Sequence, residues 1–437
     1  MRALAALALL AILSPAAARA EDGMSVEVHA DMQNLVLFRN DTDFDRTPAA
    51  YSANGQEEGA LATVFRPDLT FRINSGLRLF YQAEIGLNYW GKQNPDQESF
   101  KAPDVFVMKH RQVYGEGELG AFGFKAGFSE FQDATGLFIH HWIGVAQARW
   151  QLNEAGRVEA FFGLVPDQTD EGINVLQNNF NHDTFVWGAS LQYQLTGNLK
   201  LNVGLDNLFD EHVVGQVRRV FCPNAELAVT AGVFSGYLDA ALQVGRFSGT
   251  ALDGGGQDDL AWALQARAQY AASPLELQVN VLALSPDDDY DGNSINRAFL
   301  YSGKSKSATM LFTEDEIRNW YDSLDLRMAS FRDGFYMNRA GLFVGDLKVT
   351  WAATEAFRPA IIVGFASTLN PHNSLGESFV GVEADLVLQY KISDHFLVQA
   401  MAGVVSPGKA GAALVNQIDL SKAEPIFSCE GSLLLHY

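Results

Sequence analysis

Asp287, Asp289 and Asp291, followed by Gly292, are the residues of this chain best spaced to hold a metal ion. Closely spaced carboxylates closed by a glycine turn wrap a hard cation such as calcium. The twelfth position of such a loop carries a bidentate Glu, and here it is Ala298. Segment 287–293 is therefore a candidate for weak calcium binding, and no other cofactor is expected. Gly303-Lys304-Ser305 matches only the tail of a phosphate-binding loop, because Ala298 stands where the upstream glycine belongs. His140 and His141 open a strand, and neighbours on a strand point to opposite faces, so the two cannot share one metal. No G-x-S-x-G or H-E-x-x-H motif occurs. Nothing in these residues points to an enzyme.

A larger set of charges sits at every second position of apolar segments. Arg66, Asp68 and Arg72 alternate with Phe65, Pro67, Leu69 and Phe71. Arg78 and Glu84 alternate with Leu77, Leu79, Tyr81, Ile85 and Leu87. The same parity gives Lys125, Arg149, Lys200, Arg267, Lys348 and Lys391 as cations. It gives Asp206, Glu276, Asp346, Glu383 and Asp385 as acids sharing that face. On this count the face is nearly balanced, with a slight basic excess. Two readings stay open: the charges pair across strands and stiffen a wall, or the cations form a track for an anionic solute.

Such alternation requires strands. Residues 65–73 and 77–89 are two period-two runs joined by Asn74-Ser75-Gly76, a tight-turn sequence. Each is long enough to cross a bilayer at a tilt, which takes roughly 9–11 residues. The pattern recurs along the chain and predicts about 18 antiparallel strands, among them 138–152, 225–233 and 335–352. Short turns, as at 119–120, 196–198 and 393–395, alternate with long polar connections, as at 40–60, 210–224, 248–259 and 285–334. That short-long rhythm marks a transmembrane β-barrel. The fold class is all-β, a closed antiparallel barrel over residues 21–437 with both termini periplasmic. Closure satisfies every backbone group in lipid.

Residues 1–20 carry Arg2, an apolar run through Leu13 and the small-residue stretch Ala18-Arg19-Ala20, a secretory signal peptide. At the other end, Phe427, Cys429, Gly431, Leu433, Leu435 and Tyr437 alternate with mostly polar residues, and the chain finishes on an aromatic ring. A last strand of this kind fits delivery to the bacterial outer membrane through the barrel-assembly machinery. The chain's lipid-facing parity runs through Leu77, Tyr81, Ile85, Leu386 and Leu435. The formal charge of −21 argues against nucleic acid. Abundant Phe, 30 residues, suits an apolar band with aromatic girdles. The two cysteines, Cys222 and Cys429, carry no disulfide assignment.

Within loop 285–334, Thr313-Glu314-Asp315-Glu316 is a capping-box pattern. It leads into Ile317, Trp320, Tyr321 and Leu324, an apolar stripe predicting a short helix over about 314–324. Such a helix could fold into the mouth or cover the rim.

Several stretches resemble the alginate-export family of outer-membrane porins. They are Arg111-Gln112-Val113-Tyr114 with Phe124-Lys125-Ala126-Gly127 and Glu130-Phe131, the acidic run from Leu284 to Asn293, and Gly381-Val382-Glu383-Ala384-Asp385-Leu386 with Tyr390. The chain departs from the family at Phe128-Ser129, where a basic residue is expected. The resemblance implies an 18-stranded barrel and passage of an alginate-like polysaccharide or its oligomers. The function expected is passive passage of a hydrophilic, anionic or polyhydroxylated solute across the outer membrane. The alternatives are a barrel enzyme acting on lipid or polysaccharide, and a sealed structural barrel.

Overall fold

Alternating apolar and polar residues build nineteen strands in the computed structural model, which describes residues 24–39, 58–89, 108–165, 184–211, 216–249, 257–287, 295–299, 308–309, 340–374, 376–411 and 425–436. The first nine strands are β1 (Ser25–Arg39), β2 (Glu58–Asn74), β3 (Leu77–Tyr89), β4 (Met108–Leu119), β5 (Phe122–Gln132), β6 (His140–Gln151), β7 (Gly156–Val165), β8 (Thr184–Thr196) and β9 (Leu199–Asp210). They continue as β10 (Gln216–Ala231), β11 (Phe234–Gly249), β12 (Gln257–Ala272), β13 (Leu275–Leu284) and the two-residue β14 (Ile295–Asn296). The last five are β15 (Leu342–Trp351), β16 (Phe357–Ser367), β17 (Phe379–Ser393), β18 (Phe396–Pro407) and β19 (Ile426–His436).

Eighteen of these form one ring of antiparallel neighbours. The ring closes where β1 pairs with β19, from Asp31↔His436 to Arg39↔Ser428. Closure leaves no open sheet edge, the condition for strands in lipid. The short β14 stands outside the ring and pairs parallel to the start of β12. Short turns and both described termini lie at one end of the ring. Their local chemistry is plain: Asn74 Oδ1 accepts the Gly76 N–H at 2.9 Å, and Gly232 holds a φ of 62° between β10 and β11. The strand ends that the long connections join lie at the other end.

The outward face is apolar from rim to rim. Leu386 at the centre of β17 and Val363 and Phe365 on β16 stand exposed. Aromatic residues collect at its two margins. Phe234 and Tyr270 lie 5.0 Å apart near the short turns, with Trp150, Trp351 and Tyr390 at the same end. Near the long loops, Phe162, Phe185 and Phe209 run in a row at 6.0 and 6.4 Å. Two aromatic girdles around an apolar band are the outside of a membrane barrel.

The inside holds more than polar side chains. Residues 133–139, between β5 and β6, fold inward, and Leu137, Phe138 and Ile139 are fully buried against Phe131, Ile143, Phe161 and Val186. A single carboxylate organises the turn. Asp133 Oδ1 accepts Thr135 N at 2.8 Å, Thr135 Oγ1 at 3.0 Å and Gly136 N at 2.5 Å. Its Oδ2 accepts Phe138 N at 3.0 Å and Ile139 N at 2.6 Å. Asn202 on β9, four strands along the ring from β5, anchors the loop by donating to Ala134 O at 2.7 Å. On the opposite wall, Phe299 and Ala308 are buried, and Ala308 N donates to Asp346 Oδ2 at 3.2 Å. The interior is therefore narrowed by chain returning from the long-loop end.

Three sequence expectations change. The segment 210–224, read as a connection, is strand from Gln216 onward. Pro223 and Asn224 lie inside β10: Pro223 pairs with Leu205 on β9, and the β10–β11 ladder skips 222 and 223. A proline has no N–H to give, so it fits a strand only at such a gap. Strand 138–152 starts at His140, because Phe138 and Ile139 belong to the inward loop. In the expected strand 335–352, only Leu342–Trp351 is strand among the described residues. The expected helix at 314–324, the signal peptide at 1–20 and Tyr437 lie outside the described residues.

Candidate solute path

The sixteen charged residues expected inside all fall on the inward parity of their strands. They do not act alike. Arg66 Nε bonds Glu84 Oε2 at 2.8 Å, and Arg111 bonds the same oxygen. Arg72 Nε bonds Glu27 Oε1 at 2.7 Å, and Arg78 pairs with Glu116. The arginine hairpin of β2 and β3 is thus a set of ion pairs, the wall-stiffening arrangement. Lys391 turns to Asp394 at 2.6 Å in the β17–β18 turn, and its ammonium holds that exposed carboxyl below the usual carboxylate range. Arg267 Nε donates to Asn280 Oδ1 at 2.6 Å and lies 5.7 Å from the Tyr237 ring. Lys348 borders a recess described below. Glu383 and Asp385 are buried on β17.

Lys125, Arg149 and Lys200 behave differently, and Arg157 on β7 joins them. Among the described residues no carboxylate lies within ion-pair distance of these four. Lys125 sits over the Tyr114 ring at 4.2 Å. Arg149 packs over Gly123, whose missing Cβ would lie 3.3 Å from the guanidinium. Arg157 Nη2 donates to Gln192 Oε1 at 2.8 Å, and its buried Nε finds no acceptor among the described residues. All four lie within a few residues of the short turns, on β5, β6, β7 and β9. They form a basic belt at one mouth of the barrel.

The belt faces an acidic wall. Asp239 on β11, Asp259 on β12, Asp346 on β15 and Glu430 on β19 are buried inward beside Glu383 and Asp385. The further inward acids remove the slight basic excess read from sequence, and both signs occur on both sides: Glu84, Glu116 and Asp206 stand on the belt's side, and Arg218, Arg267 and Arg358 on the other. Sequence parity passed over Glu116, Arg157 and Glu159 although their strands were assigned. Arg218 and Asp259, a bidentate pair at 3.0 and 3.1 Å, had been placed in connections. Asn296 on β14 donates to Asp259 Oδ1 at 2.9 Å and so ties residues 295–296 to the start of β12.

Of the calcium candidates, Asp289 and Asp291 lie outside the described residues. Asp287 is buried, and its Oδ1 accepts Arg297 N at 3.3 Å. Among the described residues no three His, Cys, Asp or Glu side chains come together as a metal site. Cys222 and Cys429 are unbridged thiols.

An 18-stranded ring with inward-folded chain and a charged interior invites comparison with solved barrels. The chain is similar to OpdK of Pseudomonas aeruginosa with vanillate, at a TM-score of 0.56 and 10% identity over 94% of this chain and 98% of that one. The fold is that of an outer-membrane porin. OccK9 (OpdG) of Pseudomonas aeruginosa gives 0.57 at 12% identity, with 94% and 98% covered. OccAB2 of Acinetobacter baumannii gives 0.57 at 10% identity, with the same coverage. No family model matches the chain, and no curated protein does. The resemblance to the alginate-export family therefore rests on the short stretches quoted above.

Proposed function

We propose that this porin-fold barrel is a passive outer-membrane channel for hydrophilic anionic solutes. The observation that carries the reading is the belt of Lys125, Arg149, Arg157 and Lys200, four inward cations with no carboxylate in bonding distance among the described residues. Fixed cations along a confined aqueous path raise the local concentration of anions. The vanillate named with OpdK is itself a carboxylate. The acidic wall opposite and the inward loop at Asp133 favour a small anion that hugs one side. An alginate-like oligomer, with a carboxylate on each sugar, is the extended member of the same class.

Conductance in planar bilayers with ion selectivity tests this. Replacing Lys125, Arg149, Arg157 and Lys200 together by Gln is expected to move the reversal potential toward cations. The shift should be large at about 0.1 M salt and small at about 1 M, where the screening length falls from roughly 10 Å to 3 Å. Replacing Arg66, Arg72 and Arg78 by Gln together with their partners Glu84, Glu27 and Glu116 should instead lower stability and leave ion preference in place, since each charge is removed with its opposite. Equal reversal potentials for the belt variant and the parent sink the anionic part. Absence of any current favours the sealed barrel, and hydrolysis of lipid or polysaccharide by the purified chain favours the enzyme.

The outer-membrane lipid and the barrel-assembly machinery are the partners implied by the apolar band and by β19. Deleting Tyr437 is expected to leave precursor in the periplasm while refolding in detergent survives. Normal surface levels of the deleted chain would remove the terminal aromatic from that role.

A further inference from the structure

The inward wall over β13, β15, β16 and β17 contains a polar recess of about 220 Å³ near the short-turn end. Its floor is set by one row of the ladder, in which Thr350 faces Ala360 and Ala360 faces Val387. Ala360 is the small residue that makes the hollow. Charges of both signs stand around it. Arg358 Nη2 bonds Glu276 Oε2 at 3.1 Å, and Gln269 donates to Glu276 Oε1 at 2.7 Å. Lys348 stands two residues along β15 from Thr350, and Gln389 faces Arg358 across β16 and β17.

We propose that this recess is a docking subsite for a small zwitterion, a solute with a carboxylate and an ammonium a few bonds apart. The inference rests on the chain being a channel, but it concerns a wall separate from the basic belt. A lone anion in the hollow meets Lys348 and Arg358 but is opposed by Glu276. A lone cation meets Glu276 and is opposed by the two bases. A solute carrying both charges has an opposite charge facing each of its ends, and Arg358 keeps N–H groups beyond the one on Glu276 for a carboxylate. Each oxygen of Glu276 accepts one bond, Oε1 from Gln269 and Oε2 from Arg358, and retains a lone pair for an ammonium. Thr350 and Gln389 supply neutral donors and acceptors at the edge.

Single-channel recording of the purified full chain tests this with L-alanine and L-lactate, which differ in an ammonium against a hydroxyl. L-alanine is expected to interrupt the current at about tenfold lower concentration than L-lactate, the factor one charged hydrogen bond supplies. Glu276→Gln should erase that difference. Ala360→Leu, which fills the hollow from an inward position, should abolish interruption by both while current persists. Equal interruption by the two solutes in the parent, or unchanged interruption in Ala360→Leu, overturns the subsite. Calorimetry with L-alanine on the detergent-folded barrel separates the two proposals. Binding heat that vanishes in Ala360→Leu supports the subsite even where no current flows. No heat overturns it whether or not the barrel conducts.

Discussion

An Asp133→Ala barrel is expected to conduct more current than the parent, and less steadily. The Asp133 carboxylate accepts four backbone N–H groups and one hydroxyl from the turn it opens. Removing it leaves those N–H groups facing an interior filled by Leu137, Phe138 and Ile139. A buried donor without an acceptor costs about 1–3 kcal/mol, so the inward conformation of 133–139 loses about 3 kcal/mol or more. The ring itself does not depend on this loop, because β5 and β6 pair along their full length from Phe122↔Trp150 to Gln132↔His140. The loss should therefore release the loop rather than unfold the barrel. Asp133→Asn keeps one acceptor oxygen and should fall between the two. Conductance and its noise, with the urea midpoint of the detergent-folded protein as control, give the readout. Parent-like current in Asp133→Ala would show that some other contact holds the loop inside.

The ring was legible in the sequence because a barrel wall repeats one rule, apolar out and polar in, for every strand. Residues 65–73 and 77–89 obey it almost without exception, and the short-long rhythm of turns gave the strand number. The rule failed where its premise failed. Phe138 and Ile139 look like strand residues because they are apolar, yet they are buried inside by the loop they belong to. Val186, Cys222 and Ile362 are apolar and face inward, because returning chain covers them and the lumen there is not wet. Pro223 fell within the expected connection 210–224 because a proline's cost in a ladder depends on which neighbour it faces, and that is a matter of pairing.

Pairing also explains what was missed in the charged interior. Parity tells which face a residue is on, but not what stands opposite. That Arg72 meets Glu27 and Arg78 meets Glu116, while Arg149 has no acid at bonding distance among the described residues, follows from the register and side-chain reach of neighbouring strands. Register carries no signature within a single strand. The hairpin that drew attention by its three arginines is the neutralised part of the wall. The belt that carries the proposed function is spread as single cations over four strands, and one of them, Arg157, drew no notice.

The largest single effect on folding is expected at Leu386. It is the central residue of β17, it points outward, and it is 44% exposed on a face that meets lipid. Arg at mid-bilayer on that face costs about 2–4 kcal/mol. The control is Gln389, three residues on and inward-facing at the edge of the recess, where Arg remains in a polar setting and should shift stability by well under half of that. Val387 also faces inward but is 1% exposed at the floor of the recess, so Arg there would displace its neighbours and is no control. Folding equilibria in lipid vesicles with urea measure the difference directly. Because side chains alternate, a one-residue error in the register of β17 would exchange the behaviour of 386 and 389. A Leu386→Arg barrel as stable as Gln389→Arg would therefore refute the assigned faces, and with them the inward placement of Glu383, Asp385 and the recess.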